Sequence, residues 1–244
     1  MNKANSMPNT ILAAYLILSL ICTLFGGFLS IPNTALALPY ELAYDYSTTD
    51  AGTGVSLSDF VQTVANGNPN QLVGVYVPGV MSLPVGQQPA GNAGYVTRDN
   101  NQVTQFGLAN QYNTVGILAH NDLSGSLFTG ITLDQYAILV YGDGHLEYYV
   151  VNEIQKYQAL SPTSTFSDFI NLDGSQERLS AGDLFNRVYA PGGRLVFQTC
   201  IAGQGDPSWG RMFITATPAT SQVLSVVEQT SRLLEFASFG LVAY

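Results

Sequence analysis

Seven short runs of β-branched, aromatic and aliphatic residues, separated by turn-forming residues, set the fold. They are Leu72–Val77, Val80–Val85, Val115–Ala119, Tyr136–Tyr141, Leu146–Val151, Leu195–Thr199 and Met212–Ala216. Runs of this length bounded by Gly, Pro, Asn and Asp read as strands. Gly142-Asp143-Gly144-His145 between two of them is a hairpin signal. Pro84 interrupts the second run and predicts an edge position there. Residues 86–110 read as loop. Val55–Ala65, with apolar residues at 57, 60, 61 and 64, has helical spacing ended by Asn66-Gly67-Asn68-Pro69. Ser164–Leu172 and Ser180–Tyr189 read as further short helices. No internal repeat is present. The spacing predicts a mainly β chain, a closed or nearly closed antiparallel β-barrel with a few short helices.

The amino terminus carries a different signal. Ile11–Ile31 contains no charged residue, Lys3 is the one basic residue before it, and all 17 acids lie beyond residue 37. As a helix this run spans roughly 30 Å, the thickness of a hydrocarbon core. The polarity is that of a secretory signal or an N-terminal anchor whose start stays in the cytoplasm. Ala35-Leu36-Ala37 fits cleavage, whereas the length of the run fits retention, and both outcomes stay open. Cys22 lies inside the run and lacks the small preceding residue of a lipidation site. The expected organisation is residues 1–37 as signal peptide or membrane anchor, 38–71 as tether and short helix, 72–219 as barrel, and 220–244 as an extension packed back on the barrel. The expected location is the extracytoplasmic face of the cell membrane, or outside the cell after cleavage.

Composition narrows the partners. A formal net charge of −9 with only eight Lys and Arg leaves no basic face, which excludes a nucleic-acid binder. With two cysteines, one of them in the N-terminal run, the chain is not a disulfide scaffold.

Cys200 is then a lone thiol on the export side, at the end of Arg194-Leu195-Val196-Phe197-Gln198-Thr199. Eleven residues later Arg211 opens the next apolar run, and far upstream His120 ends Val115–Ala119. A thiol, an imidazole and a guanidinium at strand edges are the parts of a cysteine acyl-transfer site. Positive charge beside the sulfur favours the thiolate, which is the nucleophile. Arg211 is the candidate oxyanion donor, and His120 the candidate acid and base. Thr199 and Asn121 are supporting candidates, Thr199 as a cap beside Cys200 and Asn121 as a positioner of His120. Nothing in this chemistry needs a metal or cofactor. Each residue also has a plainer reading: a buried thiol, a solvated strand-end histidine, a barrel-rim arginine. His145 is the rival imidazole.

The ordered set resembles the sortases over roughly Leu72–Ala216. Sortases carry a cysteine in a Thr-Leu-x-Thr-Cys motif at a strand end. Here Val196-Phe197-Gln198-Thr199-Cys200 keeps Thr and Cys and departs at the first two positions. Ile117-Leu118-Ala119-His120-Asn121 is similar to the family's histidine segment, and Trp209-Gly210-Arg211-Met212-Phe213-Ile214 to its arginine strand. The resemblance implies a sortase-like barrel and a cysteine transpeptidase. Its donor would be a surface protein bearing a Leu-Pro-x-Thr-Gly-like signal, and its acceptor a cell-envelope amine. The long interval from His120 to Cys200 implies an insertion around 152–190. Two other readings stay open: a different exported cysteine hydrolase or peptidoglycan transpeptidase, and a catalytically silent surface β-domain.

Overall fold

The computed structural model describes residues 52–219. The N-terminal apolar run and the tail beyond Ala219, expected as anchor and packed extension, lie outside the described residues.

Ten strands form one sheet: β1 (Leu72–Val77), β2 (Met81–Gln87), β3 (Val103–Gln105), β4 (Thr114–Leu118), β5 (Tyr136–Tyr141), β6 (Leu146–Ala159), β7 (Phe169–Asn171), β8 (Arg178–Leu179), β9 (Arg194–Gly203) and β10 (Asp206–Pro218). The order is β10-β9-β4-β3-β2-β1-β5-β6-β7-β8, and β10 also pairs with β6. That extra pairing closes an eight-stranded barrel, from which β7 and β8 extend along β6. The barrel is mainly antiparallel, with two parallel pairings, β2–β3 and β4–β9. Parallel neighbours need long crossovers, and the chain supplies them in the 86–102 loop and in everything between β4 and β9.

Strand alternation divides the apolar residues between two sides. Inside the barrel lie Val75, Val77, Leu83, Ile117, Leu139, Val151, Leu195, Phe197, Met212 and Ile214 among others. Phe128, on the 3-10 turn Ser124–Gly130, meets Phe197 edge-on at 5.3 Å in this core. One outer face, with Val73, Tyr76, Ile138 and Val140, is covered by α1 (Leu57–Val64) through Leu57, Phe60 and Val61. The Ser56 hydroxyl caps α1 by accepting from the Asp59 N–H. A second outer face, with Val196, Phe213, Tyr157 and Ala159, is covered by α3 (Ala181–Val188) and Ala109 of the short helix α2 (Gly107–Asn110).

Several expectations change. Residues 103–110, expected as loop, form β3 and α2. Pro84 lies within a closed barrel, yet β3 pairs only with Val85–Gln87, so Pro84 falls where β2 has a single partner. The segment expected as a helix over 164–172 is instead a turn followed by β7. Its hydroxyls bond local backbone in a turn instead: Ser167 Oγ accepts from the Ser161 N–H and Ser164 Oγ from the Phe166 N–H. The second expected helix forms as α3, capped by Ser180. The insertion expected near 152–190 is the outer half of β6 together with β7, β8 and α3.

Candidate active site

Cys200 and Arg211 are direct cross-strand partners in β9 and β10, which places their Cβ atoms about 5 Å apart on one face. Leu195 and Phe197 of β9 face the barrel interior, whereas Val196 faces outward, so alternation carries Gln198 and Cys200 to the outside. The same count on β10 puts Met212 and Ile214 inside and Arg211 outside with Phe213.

His120 arrives from the strand on the other side of β9. β4 and β9 run parallel with Leu118 opposite Gln198. The pairing continues one step further, where the Ala119 N–H donates to the Gln198 carbonyl at 3.3 Å. Ala119 faces the interior with Ile117, and His120 comes next, two residues past the end of β4. Continued past that end, the same alternation sets His120 in a row with Cys200 and Arg211; all three residues are partly exposed. No hydrogen bond joins the His120 ring to the Cys200 thiol in this state. Acid–base pairs in unliganded sites often stand looser than in the substrate complex.

Among the described residues, Arg211 is held by backbone oxygens alone. Nη1 donates to the carbonyls of Ser208 (2.9 Å) and Gly210 (2.8 Å), and Nη2 to that of Pro162 (3.1 Å). No carboxylate is among these partners, so the guanidinium keeps its charge unpaired and two of its five N–H donors remain for a ligand. Two of these carbonyls, those of Ser208 and Gly210, sit at a local irregularity. β9 and β10 join through Gln204 and Gly205, both with positive φ (50° and 82°). The register then slips between Asp206 and Gly210, bulging 207–209 out of the ladder. The bulge offers Ser208 O to Arg211 and Pro207 O to Asn121 Nδ2 at 2.8 Å. Asn121 thereby ties the histidine loop to the cysteine–arginine hairpin.

Thr199 points inward, is buried, and donates its hydroxyl to the Ala119 carbonyl at 2.9 Å. It locks β9 to the residue before His120 and does not border the thiol's face. Behind it lies Gly125, where a Cβ would stand 2.3 Å from Thr199 Oγ1 and 2.7 Å from the His120 carbonyl. That carbonyl accepts from Leu123 and Gly125 N–H groups. Gly125, Pro162 and the bulge were missed in the sequence: their contribution is backbone position, which residue type does not announce.

His145 is not part of this row. It stacks on Tyr141 at 4.2 Å and bonds Asp143 at the β5–β6 hairpin. Tyr157, the β6 partner of Arg211, is on the order of 35 Å of strand away from that hairpin. Asp122 forms an exposed ion pair with Arg98. Among the described residues no cluster of three or more His, Cys, Asp or Glu side chains is placed to hold a metal ion.

No family model matches the chain, and no curated protein matches it by sequence. Among solved structures it is similar to sortase C1 of Streptococcus agalactiae in complex with MTSET, at 11% identity over 63% of this chain and 70% of that one, with a TM-score of 0.38. It is also similar to sortase A of Corynebacterium diphtheriae (10%, 62% and 61%, TM-score 0.41) and to a sortase D5 transpeptidase of Clostridium perfringens (11%, 68% and 89%, TM-score 0.39). The chain folds as a closed, mainly β barrel with a few short helices, and these three similar structures are sortases.

Proposed function

We propose that the protein is a sortase-type cysteine transpeptidase. The observation that carries the reading is the cross-strand pair Cys200 and Arg211 on one outer face, with His120 just past the end of β4, the neighbouring strand. Cys200 as thiolate attacks the carbonyl carbon of a donor peptide bond. The developing oxyanion takes the free N–H donors of Arg211, whose position is fixed beforehand by three backbone carbonyls. His120 gives a proton to the departing amine and then takes one from the incoming amine as the thioester is resolved. Carbon–sulfur bond formation replaces the peptide bond, and a new amide replaces the thioester; water in place of the amine gives hydrolysis.

The donor on this reading is a surface protein with a Leu-Pro-x-Thr-Gly-like signal and the acceptor a cell-envelope amine. The enzyme works on the outer face of the membrane, tethered by residues 11–31 or released after Ala37. The test is incubation of the full chain with Leu-Pro-x-Thr-Gly-type peptides and a trapping amine, followed by mass spectrometry. An acyl adduct on Cys200 and a peptide–amine product are expected. Cleavage that survives Cys200→Ala would place the nucleophile elsewhere, and no adduct with any peptide would favour a silent β-domain.

A further inference from the structure

Arg211 has two lateral neighbours on the outer face. Cys200 lies opposite it on β9, and Tyr157 lies opposite it on β6. Directly opposed residues of antiparallel strands hold their Cβ atoms about 5 Å apart, so the arginine side chain leaves β10 between a thiol and a phenol ring. Arg211 is partly exposed, whereas Tyr157 is wholly buried. The Tyr157 ring meets Phe213 edge-on at 5.9 Å, and both rings pack in the cluster beneath α3.

The rings and the carbonyl anchors of Arg211 lie to different sides of it. Phe213 follows Arg211 on the same face of β10, whereas Ser208 and Gly210 precede it. β6 runs from Tyr157 through Gln158, the partner of Gly210, toward the β9–β10 hairpin, and Pro162 lies further along that path. A flank filled by two close-packed rings admits no further side chain. The guanidinium is therefore left with the hairpin side, where the three carbonyls are. Gly210 allows β6 to come this near, since a Cβ there would run into the Tyr157 carbonyl. The Tyr157 hydroxyl is buried and makes no hydrogen bond of ordinary geometry. The Arg187 guanidinium, itself bonded to Glu177, still lies near enough to oppose the rise that burial gives the phenol's pKa.

We propose that Tyr157 is a positioning residue for Arg211: its ring, backed by Phe213, fills the flank toward α3 and so keeps the guanidinium on its three carbonyls beside Cys200. The proposal rests on the cysteine transpeptidase reading above. On it, the ring matters and the hydroxyl does not, and the ring acts only through the arginine. The β6–β9 insert thereby reaches the chemistry without touching substrate.

The test is a double-mutant comparison in the full chain. Tyr157→Leu keeps an apolar side chain but leaves the flank partly empty. With the Leu-Pro-x-Thr-Gly peptide and a trapping amine, kcat should fall about tenfold or more, since a misplacement of about 1 Å can cost up to about a hundredfold. KM should stay within about twofold. In an Arg211→Lys background, where the fork is already lost, the same change should slow kcat by less than about twofold more. Tyr157→Phe, which keeps the ring, should retain kcat within about twofold of wild type. Phe213→Leu in the same two backgrounds makes the comparison through the other ring, should Tyr157→Leu fail to fold. A purely structural role would slow both backgrounds by the same factor, and that result overturns the proposal. Wild-type kcat in folded Tyr157→Leu, or Tyr157→Phe as slow as Tyr157→Leu, overturns it too. Each of these leaves the transpeptidase reading intact. Absence of any acyl adduct in wild type overturns that reading itself, and this proposal with it.

Discussion

Gly125 shows how closely the histidine loop is fitted at the scale of single residues. A methyl group there meets Thr199 Oγ1 and the carbonyls of Ala119 and His120, all closer than real Cβ contacts allow, and two of these three are backbone atoms that cannot swing aside. Gly125→Ala should therefore displace the loop that carries His120. The expected outcome is a fall in kcat of tenfold or more together with loss of the Thr199 to Ala119 hydrogen bond, read by kinetics and by a crystal structure of the variant. Arg211 makes the complementary case. Its fork uses three donors on backbone carbonyls and keeps two, an arrangement a lysine ammonium cannot reproduce from a single nitrogen. Arg211→Lys should lower kcat by about a hundredfold or more while Cys200 is still acylated slowly, a difference that single-turnover measurement resolves. The two histidines separate by place: His120→Ala should remove most turnover, whereas His145→Ala, at the far hairpin, should leave kcat/KM within a few-fold. A damaging His145 change would contradict the strand assignment of the site.

At the scale of elements, the site depends on where the β9–β10 ladder breaks. The bulge at 207–209 turns two backbone carbonyls toward the site, Ser208's to Arg211 and Pro207's to Asn121. Asn121→Ala removes that tie without touching Cys200 or Arg211, so kcat should fall several-fold with little change in melting temperature. Equal loss in Asn121→Asp would support the tie further, since a carboxylate cannot donate to a carbonyl. The insert has its own fastening: Arg187 of α3 bonds both carboxylate oxygens of Glu177, which holds the Glu177 carboxyl below its ordinary range. A carboxyl with a depressed folded pKa contributes stability above its unfolded pKa and loses it as pH falls through the folded one. The insert should therefore loosen in acid below about pH 4, and Glu177→Gln should flatten that part of the stability profile, as followed by thermal melts from pH 3 to 7.

Much of this was legible in the chain. The strands of β1, β5, β9 and β10 announce themselves through apolar runs, and α1 and α3 through spacing and a serine cap. Cys200, His120 and Arg211 stand out because each borders an apolar run, although β9 runs on to Gly203 and β10 already begins at Asp206. What the chain hid is made of backbone: β3 is too short and polar to show a pattern, Ser164–Leu172 mimics helical spacing while its serines divert the N–H groups, and the bulge follows from register alone.

At the scale of the whole described unit, the face covered by α1 and the face carrying the candidate site lie on different strands of one barrel. α1 shields Val73, Tyr76, Ile138 and Val140, on β1 and β5, while the site lies on β4, β9 and β10. Phe60→Ala should therefore cost about 3–5 kcal/mol of stability, seen as a lower melting temperature, with kcat/KM unchanged at temperatures where the variant is folded. A loss of activity in the folded variant would show that the two faces communicate.

The parallel pairing of β4 with β9 joins residues about eighty positions apart, and it has a consequence in time. A contact of such sequence separation forms only after the intervening chain has been gathered, and chains rich in distant contacts fold slowly. On the proposed reading, thiol and imidazole are brought level only when the ring of strands shuts, so activity would arrive in one late step of folding rather than build up strand by strand.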